Sequence, residues 1–122
     1  MTAALSWRTD RIVKEGEEKQ MSALLLARVR VNDPETYKDY MARSGPAIAA
    51  FGGRLAVRGA TPEVLEGADD GVRNVIVEFP DIETARRWYD SAQYTEARGF
   101  RAPPVADATF LLFETAGNLG NV

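Results

Sequence analysis

Six side chains in this chain have the chemistry to hold or process a small molecule: Tyr37, Arg58, Glu78, Trp88, Tyr94 and Arg98. Arg58 ends an apolar run just before Gly59, where a residue without a Cβ lets another group come close. A guanidinium there suits a carboxylate, which it grips with two parallel N–H donors. Glu78 is the candidate general base, with Glu114 as the other acid on the sheet. Burial beside Leu26 and Ile76 would raise its pKa and a neighbouring arginine would lower it, so the two effects oppose each other. Counting back across the turn at 68–71 brings Arg58 near Glu78, either as a ligand-binding pair or as a simple internal ion pair. Tyr94 and Arg98 stand four residues apart, which sets a hydroxyl and a guanidinium on one lip. Trp88 and Tyr89 belong to an apolar helix face and read first as packing with polar tips at a rim, as do Tyr37 and Tyr40.

Composition restricts that chemistry further. The chain has no Cys and no His. Disulfides, thiolate nucleophiles, imidazole bases and nitrogen- or sulfur-ligated zinc are therefore ruled out. No metal and no cofactor is expected, and any proton transfer must use Asp, Glu, Tyr, Lys or water. A net charge of -3 argues against a nucleic-acid partner, which calls for clustered cations. The apolar run at 23–27 is far below the roughly 20 residues a spanning helix needs, and the first twenty residues have no secretory apolar stretch. The expectation is a cytoplasmic protein without a membrane partner. Gly52-Gly53 is followed by no Gly-Lys-Ser/Thr, so it reads as a helix stop and not a phosphate loop.

The elements that must position these residues follow from periodicity. With 122 residues, 45% of them hydrophobic, the chain fits one globular domain. Residues 1–20 mix acids and bases with few core-type residues and are expected to be an appendage to a domain at 21–116, with a tail at 117–122. Alternation predicts a strand from Ser22 to Val31. Asp33-Pro34-Glu35 opens a helix, with Asp33 as cap and Pro34 at its first position, and Ser44-Gly45-Pro46 should bend it before Gly52-Gly53 ends it. A second strand covers Arg54–Arg58 and resumes at Glu63–Glu66; a hairpin turn at Ala68–Gly71 leads to a third at Val72–Phe79. Asp81 caps a second helix, a short helical piece at Tyr94–Phe100 follows, and Ala108–Thr115 is the last strand.

Two right-handed crossovers in the order βαββαβ predict an α+β, ferredoxin-like fold: a four-stranded antiparallel sheet in the order 4-1-3-2 with both helices on one face. Uniform alternation sets Leu25, Ala27, Val29, Leu55, Val57, Val75, Val77, Phe79, Leu111 and Phe113 under the helices. The other face would carry Leu24, Leu26, Ala56, Ile76, Phe110 and Leu112 among Arg28, Arg30, Asn74, Glu78 and Glu114. Each large side chain left wet there forgoes about 1.5–3 kcal/mol of burial. A second copy of the sheet is the expected cover, with the leading segment as the competing one.

An ordered set of motifs carries a family resemblance: Asn32-Asp33-Pro34-Glu35 with Tyr37 and Tyr40, Gly52-Gly53-Arg54, Val57-Arg58-Gly59, Val64-Leu65-Glu66-Gly67, Val75 to Pro80, and Trp88-Tyr89-Asp90-Ser91 with Tyr94 and Arg98. Over about residues 22–116 the chain resembles the bacterial family catalogued as domain of unknown function 1330, which in turn resembles the dimeric α+β barrels. Relatives there include cofactor-independent monooxygenases and dismutase-like enzymes. The resemblance implies a homodimer with a pocket between sheet and helices, and it implies no settled reaction. Phe100-Arg101-Ala102-Pro103-Pro104 departs from the family's usual run after the second helix, so one wall of that pocket is expected to differ. Two functional readings follow. The first is a homodimer that binds a small anionic or aromatic metabolite through Tyr37, Arg58, Glu78, Trp88, Tyr94 and Arg98, with metal-free proton transfer or cofactor-independent oxygenation as the chemistry if it is catalytic. The second is a non-catalytic structural or regulatory dimerisation module with a filled barrel.

Overall fold

The structure, a computed structural model, describes residues 21–116. The expectations for residues 1–20 and 117–122 lie outside the described residues. The elements are β1 (Ala23–Val31), α1 (Pro34–Ala50), β2 (Arg54–Arg58), β3 (Arg73–Phe79), α2 (Ile82–Asp90), α3 (Ala92–Gly99) and β4 (Ala106–Glu114). The four strands form one antiparallel sheet in the order β2-β3-β1-β4, the ferredoxin-like order.

Local chemistry sets the helix ends where the sequence marks them. The Asp33 carboxylate accepts from the Thr36 N–H at 3.2 Å and from its hydroxyl at 2.8 Å, while Asp81 accepts from the Thr84 N–H at 2.7 Å. Helix α1 runs without interruption through Pro46. At its far end the Gly52 N–H donates to the Ala49 carbonyl and the Gly53 N–H to that of Ile48, which leaves Gly52 in the left-handed region at φ 74°. Ser91 separates α2 from α3. Its hydroxyl donates to the Trp88 carbonyl at 2.7 Å and accepts from the Tyr94 N–H at 3.1 Å, so one side chain closes one helix and opens the next.

Ala23, Leu25, Ala27 and Val29 of β1 are buried beneath the helices with Val77 and Phe79 of β3. They meet Tyr37, Tyr40, Ala47 and Ile48 of α1, Ala85 and Trp88 of α2, and Tyr94 and Ala97 of α3 in one cluster. Two phases differ from uniform alternation. In β4, Phe110 lies opposite Ala27 and Leu112 opposite Leu25, so these two face the helices. Leu111 and Phe113 face the other way, 43% and 52% exposed. The run Phe110–Phe113 is apolar on both faces, so its alternation carries no phase. Glu114, opposite Ala23, likewise moves to the helix side. In β2 the register shifts between Leu55 and Val57, which makes Ala56 an extra residue. Beyond this bulge Val57 pairs with Ile76 on the open face and Arg58 with Val75 on the covered one.

The strand expected at Glu63–Glu66 does not form. Residues 59–72 are one loop between β2 and β3, longer than a hairpin turn at 68–71. Gly59 at φ 78° turns the chain out of the sheet, Pro62 lacks a donor, and Gly67 at φ 89° turns it again. Asp69 and Asp70 accept from the N–H groups of Gly71 and Val72, and the Arg28 guanidinium holds Asp70 at 2.6 Å, which ties the loop to the open face. Among the described residues, no helix is long and apolar enough to cross a membrane.

Gly53 tests how tightly α1 meets the sheet, because an added Cβ would lie 2.6 Å from Ile48 Cγ2 and 2.8 Å from Phe79 Cε1. Gly53→Ala should lower the stability measured by chemical denaturation by about 1–3 kcal/mol. Gly45→Ala, whose methyl meets nothing within 4 Å, should not lower it.

Candidate functional site

Helical spacing brings Tyr37, Tyr40, Met41, Ser44 and Ile48 down one side of α1, facing Leu25, Ala27 and Val29 of β1. Between them lies a cavity of about 260 Å³, just below the roughly 300 Å³ at which small-molecule pockets usually begin. Its walls are mostly apolar. The polar-bearing residues around it are Tyr37, Tyr40, Ser44, Trp88, Arg58 and Arg73, and no Asp or Glu lines it.

Arg58 and Arg73 reach this cavity from neighbouring strands. Arg73 lies opposite Val29 and therefore points to the helix side, and the bulge turns Arg58 to the same side. The Arg73 guanidinium packs directly over Gly59, in space that a Cβ there would occupy. This is the close approach that a glycine after Arg58 permits. Arg73 donates weakly to the Arg58 carbonyl at 3.5 Å and the Met41 sulfur at 3.8 Å, and its buried Nε has no partner. Among the described residues, neither arginine has a carboxylate within 4.0 Å.

Glu78 sits elsewhere. It pairs in register with Leu24 and Arg54 on the open face, where the Arg54 guanidinium meets its carboxylate. The expected Arg58–Glu78 pairing fails because the sheet pleat and the bulge send the two side chains through opposite faces. Glu78 is thereby absent from the cavity.

Trp88 lines the cavity, whereas Tyr94 and Arg98 do not; Tyr94 packs against Trp88 from the side away from it. Trp88 packs against Phe79 at 5.0 Å and Tyr94 at 4.2 Å between ring centroids, and its buried Nε1 has no hydrogen-bond partner. Tyr94 is fully buried, and its hydroxyl meets that of Tyr40 at 2.8 Å. The guanidinium at Tyr94 is not that of Arg98. Arg98 lies over the Tyr89 ring at 4.4 Å, while Arg101 donates to the Tyr94 oxygen from Nε at 3.4 Å and Nη2 at 3.1 Å. Arg101 is only 9% exposed and has no carboxylate within 4.0 Å among the described residues. Its charge lies over the Phe110 ring at 4.3 Å and the Tyr40 ring at 5.5 Å, which offsets part of the desolvation. Arg73 and Arg101 were not among the residues singled out, and Tyr40 reads first as packing. The departure at Phe100–Pro104 was the one signal pointing to Arg101, and nothing in the sequence pointed to Arg73.

Burial raises the Tyr94 hydroxyl far above the usual phenol range, and the nearby Tyr40 adds to this while Arg101 opposes it. Burial also raises Tyr37, with Tyr40 adding and Arg73 and Arg101 opposing. Both are therefore neutral hydroxyls at physiological pH, able to donate a hydrogen bond and poorly suited to remove a proton. No group of three Asp or Glu side chains able to hold a metal ion occurs among the described residues.

The fold and its cavity define an α+β ferredoxin-like protein, and the sequence profile of the domain of unknown function DUF1330 matches residues 22–116. The chain belongs to that family. Among solved structures it is similar to a protein of unknown function from Rhodopseudomonas palustris, at 22% identity and TM-score 0.64, covering 82% of this chain and 86% of that one. A dimeric ferredoxin-like protein of unknown function from Thermobifida fusca is 16% identical at TM-score 0.50, covering 79% and 92%. SnoaB, a cofactor-independent oxygenase from Streptomyces nogalater, is 16% identical at TM-score 0.51, covering 81% and 97%. At these identities the likeness is one of fold. No curated protein matches the chain.

A buried tyrosine with a raised pKa adds stability that is complete below its unfolded value near 10 and is lost as pH rises beyond it, because only the unfolded chain ionises readily. The melting temperature should therefore fall above pH 10, and Tyr94→Phe should flatten that alkaline branch while lowering stability at pH 7. A parallel alkaline decline in both proteins would contradict this.

Proposed function

We propose that the protein is a homodimeric small-molecule-binding protein whose cavity takes a small, largely apolar anion, with the ligand's charge held by Arg58 and Arg73. One observation carries this reading: two guanidiniums reach one apolar cavity and meet no acid there among the described residues. Arg58 is exposed at the mouth and Arg73 is half-buried with an unpartnered Nε; half-burying a cation without a counter-charge is unfavourable, so an incoming carboxylate supplies what the site lacks. Tyr37, beside Arg73, adds a neutral hydroxyl donor. The open interior speaks against the alternative of a filled, purely structural barrel.

The position of Glu78 does not support a general-base role within this cavity. Binding is thus better supported than proton abstraction, and the oxygenase activity of SnoaB remains a property of that protein. The open face supports the dimer. Leu24, Leu26, Ile76, Leu111 and Phe113 share it, and burying each is worth about 1.5–3 kcal/mol. A two-fold copy of the same sheet face covers them at once.

Two measurements test the reading. In a thermal-shift and calorimetry screen of small carboxylates and phenols, the native chain should bind a carboxylate, and Arg58→Ala or Arg73→Ala should each weaken it about tenfold or more, the usual size of a charged hydrogen bond. A native protein that binds none, or variants that bind as well, would refute the site. In sedimentation experiments the native chain should be a dimer at micromolar concentration and Phe113→Lys should shift it to monomer. A native monomer would refute the assembly.

A further inference from the structure

The hydrogen bonds of the cluster formed by Arg101, Tyr94 and Tyr40, of which Tyr40 alone lines the cavity, run in one direction. A guanidinium can only donate, and Arg101 directs both Nε and Nη2 at the single oxygen of Tyr94. These two N–H groups occupy that oxygen's acceptor sites. Tyr94 is left with its own proton to donate, and burial ensures that the proton is present. Among the described residues, the Tyr40 oxygen at 2.8 Å is the acceptor within its reach. The opposite direction would aim three donors at one oxygen and strand the Tyr94 proton in a site with 0% exposure. Tyr40 therefore accepts, and its own O–H has no acceptor within hydrogen-bond distance among the described residues. Tyr40 lines the cavity.

We propose that the ligand carries, apart from its anionic group, a carbonyl oxygen that accepts the Tyr40 proton, so that the class of ligand is a small oxo-carboxylate. This rests on the binding reading above. A carbonyl fits better than a hydroxyl because it brings no proton of its own into walls built from Leu25, Ala27 and Val29. The Arg101 charge at the far end of the chain polarises both hydroxyls and strengthens Tyr40 as a donor. Tyr94 and Arg101 are positioning residues in this scheme, and Tyr40 is the group that touches the ligand.

The test is a matched pair of probes, phenylglyoxylate and phenylacetate, which differ by a ketone in place of a methylene. By calorimetry the native chain should bind the oxo acid about three- to tenfold more tightly, the net value of one hydrogen bond. Tyr40→Phe should abolish that ratio while phenylacetate still binds. Because this variant also removes the acceptor of Tyr94, the native protein supplies a second readout: the ketone 13C resonance of labelled phenylglyoxylate should move downfield on binding. Equal affinity for the two probes, or an unshifted ketone resonance, overturns the proposal and leaves the carboxylate site standing. Failure of the native chain to bind either probe overturns both.

Discussion

Side chains alternate across a pleated strand, and one layer of helices can cover only one face of a sheet. Everything functional in this protein is sorted by that constraint. Groups that pass through to the helix side meet an enclosed, low-dielectric space in which a hydroxyl or guanidinium acts strongly; groups on the other side meet whatever covers the open face. The bulge at Ala56 matters for this reason. One additional residue in β2 turns Arg58 to the helix side, at the exposed mouth of the cavity, and Val57 away from it, and leaves Glu78 to Arg54.

The cavity is reached by cationic side chains and has no acid in its lining. Arg101 is tolerated beside it because two hydrogen bonds to the Tyr94 hydroxyl and two ring faces replace its hydration, an arrangement that a lysine, with a compact and strongly hydrated charge, would not reproduce. Arg73 is accommodated by the absence of a side chain at Gly59. The result is a mostly apolar cavity with two arginines and the neutral Tyr37 hydroxyl in its lining. The proposed anion binding, in preference to base catalysis, rests on that lining.

Ser91 links the two halves of this arrangement. By ending α2 and starting α3 with one hydroxyl, it sets Trp88 and Tyr94 against each other at 4.2 Å and aims Tyr94 at Tyr40 on α1. The turn after α3 then returns Arg101 to the same oxygen. Two segments distant in sequence, α1 and the stretch from α3 to the turn after it, thereby share one hydrogen-bonded centre, whose direction is set by the residue that cannot accept.

Much of the architecture was legible in the sequence, because helix caps, glycine stops and period-two alternation are local signals. Asp33-Pro34, Asp81, Gly52-Gly53 and the alternation of β1 and β3 each act through neighbours a few residues away, and the strand order followed from the chirality of the crossovers. Tyr37, Arg58 and Trp88 were also legible as cavity residues, since their side of a strand or helix follows from such periodicity or from the glycine beside them. The pairing partners were not. Arg101 in place of Arg98 at Tyr94 depends on the path of the turn after α3, while Arg54 in place of Arg58 at Glu78, the phase of β4 and the presence of Arg73 depend on register and on a single inserted residue. Those are properties of how strands lie against one another, and residues 24 to 93 positions apart in the chain meet only once the sheet has formed.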